Sequence, residues 1–227
     1  MEQERLPEAA SLLDTLRMAI YNGELTPGQR LIEADLASRY DASRGAVREA
    51  LALLSHEGLV LRERNRGARV RPVSLEEAVE ITEARAVLEG LCAARAATVI
   101  TPPERRELKA LSAPMTEAVR ENDIIGYNRA SERVHVRVRE IANQATVSAL
   151  LDRLRYQSVR YQFHVALLPG RPAQDLREHL AIVDAVCSRA PEAAERAMRE
   201  HLFKVIEALR QLAELGPSPL MPPTAWR

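Results

Sequence analysis

The stretch that decides the fold begins Glu33-Ala-Asp-Leu-Ala-Ser-Arg-Tyr40, passes through Asp41-Ala-Ser43, and continues as Arg44-Gly-Ala-Val-Arg-Glu-Ala-Leu-Ala-Leu-Leu-Ser-His-Glu57. After Gly58 it ends with Leu59-Val-Leu61, Arg62-Glu-Arg-Asn-Arg-Gly67 and Ala68-Arg-Val-Arg-Pro-Val73. The first run reads as a short helix and the third as a longer one. Ser43 lies between them, where a side-chain oxygen can accept from an otherwise unpaired N–H at the start of the next helix. His56 falls at that helix's end, where a basic ring suits the dipole. Past Gly58 the spacing changes, and two short extended runs flank an Asn/Gly-containing turn, which predicts a hairpin. Upstream, Leu6, Ala9, Leu12, Leu13, Leu16 and Ile20 recur at helical spacing as far as Asn22, and Gly23 with Pro27-Gly28 breaks the pattern. Three helices plus a β-hairpin predict a winged helix-turn-helix over residues 1–73.

Residues 74–216 show no comparable strand pattern. They carry helical periodicity interrupted at Thr101-Pro-Pro103, near Pro114, around Asn122-Asp123, at Pro169-Gly170 and at Pro191. The reading is mainly α: a winged helix-turn-helix followed by an all-α bundle of six or seven helices, joined at Pro72–Ser74, with a Pro-rich tail at 217–227. Composition agrees. Of 227 residues 46% are hydrophobic, 28% charged and only 4% aromatic, which excludes collagen-like, disordered and short disulfide-scaffold classes. Cys92 and Cys187 stand far apart in helix-like stretches and support neither a disulfide framework nor a thiolate metal site. The N-terminus lacks the apolar core of a leader, and no run approaches the roughly 18 apolar residues of a membrane span. A soluble, unprocessed, cytoplasmic protein without a membrane partner is expected.

The whole chain balances 32 basic against 32 acidic side chains, which hides a local excess. Between Ser38 and Val73 eight arginines face four acids, a local surplus of the kind that attracts phosphate. Arg44 and Arg48 share a face at the start of the third helix, where a helix-turn-helix reads base edges and where Arg suits guanine. Ser43 and the helix N-terminus suit a phosphate. Arg64 and Arg66 at the hairpin tip would add groove or backbone contacts, and Gly67 allows a close approach or a positive φ. A solvated helix face is the alternative for Arg44 and Arg48. Cross-strand solvated positions are the preferred reading of Arg62, Arg69 and Arg71.

In the second region His135, His179 and His201 fall in three different predicted helices. Imidazoles on facing helices of a bundle can converge on one transition-metal ion, although lone histidines on helices are more often surface or hydrogen-bonded residues. Arg85 suits an anionic ligand through its guanidinium fork, with an ion pair to Glu89 one turn on as the equal alternative. Tyr161 and His164 share a helix face and read first as ordinary packing.

Together, Leu16-Arg-Met-Ala-Ile-Tyr-Asn-Gly-Glu-Leu-Thr-Pro-Gly-Gln-Arg-Leu-Ile-Glu33, Leu36-Ala37, Ser43-Arg-Gly-Ala-Val-Arg-Glu-Ala-Leu51, Glu57-Gly-Leu-Val60 and Asn65-Arg-Gly-Ala-Arg-Val70 resemble the GntR family of bacterial transcriptional regulators. The resemblance implies operator contacts from Ser43, Arg44, Arg48, Arg66 and Gly67. Gly45-Ala46 departs from the family's usual Thr-Pro pair, which removes a hydroxyl contact and alters base preference. Glu83-Ala-Arg-Ala-Val-Leu-Glu89, Ser131-Glu-Arg-Val-His135, Ile141-Ala-Asn-Gln144, Glu178-His-Leu-Ala-Ile182 and Ala193–Leu202 are similar to the FCD effector domain of the FadR-type branch. That likeness implies a divalent metal, zinc or nickel, held by an Asp and three His beside a small carboxylate effector. The three His match His135, His179 and His201, and Arg85 matches an Arg that faces the effector.

The Asp position is Ser131, a neutral and poorer ligand that weakens the site and leaves room for water or the effector's own carboxylate. The implied protein is a ligand-responsive regulator, usually a repressor, that binds a palindromic operator as a homodimer, with Ala84–Ala97 part of the interface. A direct metal sensor of the same fold is the first alternative. A metal-dependent hydrolase is the second, although the chain has no His-Glu-x-x-His motif, nucleophile elbow or phosphate loop.

Overall fold

The structure is a computed structural model that describes residues 8–21, 23–63 and 67–214. The chain divides into two compact units at Ser74/Leu75. The first contains α1 (Glu8–Tyr21), β1 (Arg30–Leu31), α2 (Glu33–Arg39), α3 (Arg44–His56), β2 (Val60–Glu63) and β3 (Gly67–Val70). Leu12, Leu16 and Ile20 of α1 lie one turn apart and are buried with Leu36 of α2 and Val47, Leu51 and Leu54 of α3. Packing of α1 and α2 on α3, and of α3 on β2, fixes the helix-turn-helix on this shared core. Arg17 of α1 ties down the end of α3 by a two-pronged pair with Glu57, at 2.7 and 3.0 Å.

The hairpin is present, but the sheet has a third strand, in the order β1-β3-β2. β1 pairs antiparallel with β3, with Arg30 opposite Arg69 and Leu31 opposite Ala68. Gly28 N–H donates to Val70 and Val70 N–H donates to Gln29, so the Pro27-Gly28 turn delivers the chain to the sheet edge. A two-residue strand, one side chain out and one in, presents no period for sequence reading to detect.

The second unit contains seven helices among the described residues: α4 (Leu75–Val99), α5 (Pro102–Ala110), α6 (Ser112–Arg120), α7 (Ile124–Ala142), α8 (Ala145–Ala166), α9 (Arg171–Cys187) and α10 (Pro191–Glu214). Their ends have local causes. Thr101 donates its backbone N–H and hydroxyl to Glu104 at the start of α5, and Asp123 caps α7 by accepting from Gly126 N–H. The α7/α8 break falls at Asn143, which is left-handed at φ 50° and which no Gly or Pro marks in the sequence.

α4 packs against α7, α8, α9 and α10 and buries much of its circumference. Gly90 lets α10 come close, since a Cβ there would lie 2.9 Å from the Arg199 side chain. Ala86, Ala93, Ala96 and Ala97 belong to this internal core, whereas Val87 and Leu91 stay exposed. No helix among the described residues is long and apolar enough to cross a membrane.

Candidate functional site

On the winged helix, Ser43 caps α3, its Oγ accepting from Ala46 N–H at 3.1 Å. Arg44 and Arg48 follow on the first turn and a half, both exposed. Arg48 rests against Glu33 of α2 at 3.1 Å, and this solvent-screened pair is weak enough to open when a phosphate or base competes. Gly67 opens β3 at φ +85° with open space around it, so its value lies in the backbone angle rather than in close approach. Arg69 and Arg30 are exposed and lie opposite one another on one sheet face, and Arg62 is exposed on β2. Arg64 and Arg66 lie outside the described residues, as does the tail at 217–227.

In the helical unit the three histidines come together from α7, α9 and α10. His135, His179 and His201 are 8%, 2% and 4% exposed, and their ligating atoms all lie within 4.8 Å of one another. Each ring has an acceptor at Nδ1. His135 donates to Glu89 of α4, His179 to the Asp175 carbonyl at 2.9 Å, and His201 to Glu178 at 2.9 Å. Burial alone would raise the pKa of Glu89, but the Arg85 guanidinium and the His135 imidazole hold it well below the usual carboxylate range. Burial likewise works against ionisation of Glu178, which is held low by hydrogen bonds from His201 and Arg171. These groups therefore only accept, and each Nδ1 carries the proton.

Each neutral ring is thus left with a bare lone pair on Nε2. His135 Nε2 lies 3.1 Å from His179 Nε2, and desolvation lowers the pKa of His179 to about 3, so no proton bridges the gap near neutral pH. Two facing lone pairs repel unless a cation lies between them. Imidazole nitrogens with their far nitrogens bonded to carboxylate or carbonyl are the donor set that zinc or nickel takes, so these residues fit such an ion.

A charged frame holds the rings. Arg85 gives both Nε and Nη2 to one oxygen of Glu89, at 2.8 and 2.7 Å, leaving the other oxygen for His135. The ion pair with Glu89, rather than contact with a ligand, is the arrangement Arg85 adopts. On α9, Arg171 binds Glu178 through two nitrogens and Asp175 through one, at 2.8 to 3.0 Å. The Tyr127 hydroxyl donates to Asp175 at 2.7 Å, and burial followed by the Asp175 charge raises its pKa, so it stays a donor. Ser131 lies one turn before His135 on the buried side of α7, and its hydroxyl donates to the Asn128 carbonyl at 3.1 Å. Tyr161 is buried and His164 half-buried on α8.

Sequence reading names the three imidazoles but not Tyr127, Arg171 or Asp175. Glu89 and Glu178 enter it only as an ion-pair partner and within a quoted motif. A signal exists on α9, where Arg171, Asp175 and Glu178 form one stripe at helical spacing beside His179.

Comparison with known proteins places both units. Residues 8–70 match the bacterial regulatory proteins of the gntR family, and residues 80–204 match the FCD domain. The chain belongs to the GntR family of bacterial transcriptional regulators, in the group that carries an FCD domain. It is 31% identical over 209 residues to the HTH-type transcriptional regulator BphR of Paraburkholderia xenovorans (strain LB400), covering 88% of this chain and 84% of that one. It is 29% identical over 206 residues to the HTH-type transcriptional repressor RspR of Escherichia coli (strain K12), covering 88% and 87%. The E. coli McbR/YncC structure shares the fold, with TM-score 0.80 at 20% identity over 92% of this chain and 100% of that one. Members of this family are transcriptional regulators and not enzymes, which sets the hydrolase alternative aside.

Proposed function

We propose that the protein is a cytoplasmic repressor that binds a palindromic operator as a homodimer and changes its affinity when a small carboxylate occupies a divalent-metal centre in the helical unit. In this reading residues 1–73 bind DNA, residues 74–216 bind effector and dimerise, and 217–227 form a tail. Ser43, Arg44 and Arg48 meet the operator at the head of α3, with Arg64, Arg66 and Gly67 at the wing. His135, His179 and His201 hold the metal, zinc or nickel. Ser131 leaves a position beside it for the effector, and Arg85 serves the site through Glu89. The bound metal supplies Lewis acidity for a carboxylate oxygen. The exposed Val87 and Leu91 on α4 support a partner surface within Ala84–Ala97.

One observation carries this reading: three buried imidazoles turn unprotonated nitrogens toward one another while every Nδ1 is bonded. A regulator that couples such a centre to DNA does so by linkage, because effector and operator favour different states of the dimer. The test is operator affinity by fluorescence anisotropy, on a sequence obtained by selection from random DNA, with chelator, with zinc, and with zinc plus carboxylates. The reading predicts a change of about 5-fold or more when zinc and a fitting carboxylate are both present. Affinity indifferent to metal, chelator and a carboxylate panel would remove the sensor while leaving the DNA-binding unit. Three protein nitrogens suffice to hold an ion, which keeps a second reading open: if zinc alone shifts the operator curve fully, the metal is itself the signal.

A further inference from the structure

Building on the proposed metal centre, we infer that Ser131 leaves this centre one anionic ligand short, so that the metal and a small carboxylate are retained together, each raising the protein's affinity for the other. The inner donors are three neutral imidazoles, and no carboxylate among the described residues is spare to join them. Glu89 is divided between Arg85 and His135, and Glu178 between Arg171 and His201. Asp175 takes Arg171 and the Tyr127 hydroxyl.

Side chains on a helix lean toward its N-terminus, so the His135 ring lies over the turn that carries Ser131. An acidic side chain at 131 would stand beside the metal. The serine hydroxyl instead gives its proton to the Asn128 carbonyl.

Charge points the same way. Arg85, Glu89, Arg171, Asp175 and Glu178 are two cations and three anions packed around the imidazoles, a net of one negative charge. A divalent ion brings the cluster to a net positive charge in a site with little water, where an unbalanced charge is costly. One carboxylate restores neutrality. The Arg85 guanidinium, committed to Glu89, is poorly placed to provide the recognition, which falls to the metal itself. By reciprocity, the factor by which carboxylate raises metal affinity is the factor by which metal raises carboxylate affinity.

The test uses the full chain, stripped of metal, with zinc affinity measured by competition against a chromophoric chelator. Measurements are made without acetate and with saturating acetate at constant ionic strength, correcting for acetate's own binding of zinc. Acetate should raise the zinc affinity of the wild type about tenfold. Ser131→Asp should raise zinc affinity about as much without acetate and abolish the acetate effect. Ser131→Ala should behave as wild type, and circular dichroism checks that both variants fold.

With cobalt in place of zinc, acetate should shift the visible absorption bands of the wild type and of Ser131→Ala. If Ser131→Asp fails to fold, the wild-type acetate dependence and Ser131→Ala still decide the matter. Zinc affinity equal with and without acetate in the wild type would overturn the inference alone. So would a tenfold loss in Ser131→Ala, which would make the hydroxyl itself a ligand. A wild type that binds no zinc under either condition would overturn both the inference and the metal centre it rests on.

Discussion

At His179 burial and geometry act on the same ring. Asp175, Tyr127, His135 and His201 surround it, and desolvation, the largest effect, brings its pKa down to about 3, against about 6.5 for the unfolded chain. Between these values the unfolded state binds the proton and the folded state does not. Stability of the metal-free protein is therefore fully present above about pH 6.5 and declines as pH falls toward 3. Urea unfolding of metal-free protein between pH 7.5 and 4 should show that decline, flattened in His179→Gln. Equal slopes for the two proteins would contradict it.

Glu89→Gln tests the frame around the rings. It leaves Arg85 buried beside a neutral amide and weakens the hold on His135. We expect a loss of roughly 3–5 kcal/mol in unfolding free energy, and zinc affinity roughly 10- to 100-fold lower by chelator competition. At the other unit, Arg48→Ala should weaken operator binding roughly 5- to 150-fold and relax base preference at one position. Glu33→Gln should strengthen binding by releasing Arg48 and removing a negative charge from the phosphate's surroundings. Unchanged affinity in Arg48→Ala would displace that residue from the interface.

The elements show how far local chemistry reaches. Ser43→Ala removes the α3 cap and should cost about 1 kcal/mol in the winged helix, read by chemical denaturation. Asn143→Val, which puts a branched side chain at a left-handed backbone position, should cost the helical unit roughly 1–2 kcal/mol, while Asn143→Gly should be nearly neutral. Features held by neighbours in the chain are legible in the residues themselves. The α3 start at Ser43-Arg44, the hairpin after Gly58 and the breaks at Pro102, Asn122-Asp123 and Gly170 all carry their causes within a few residues. Features that the residues do not announce have their causes elsewhere. β1 is a strand only because β3 lies beside it, and α7 ends on an asparagine in the left-handed conformation that glycine more often takes.

The candidate site divides in the same manner. His135, His179 and His201 stand out by residue type, but their approach is a product of packing among α7, α9 and α10 that spacing along the chain does not encode. The Arg85–Glu89 pair is visible one turn apart, whereas the Glu89–His135 bond spans α4 and α7 and depends on the fold.

For the molecule as a whole, function rests on coupling between units that each have their own core. An ion that binds only the folded helical unit must stabilise it, by about 2.7 kcal/mol at a free concentration 100 times its dissociation constant. It must also move operator affinity if the two states of the dimer hold it unequally. Both consequences require that three imidazoles hold an ion. The most direct measurement is therefore the metal content of protein purified without added metal or chelator and then saturated with zinc, compared with His179→Ala. The account predicts one ion per subunit, lost in the variant together with the thermal stabilisation that zinc confers. No bound zinc in the wild type, or the same stoichiometry in His179→Ala, would contradict it.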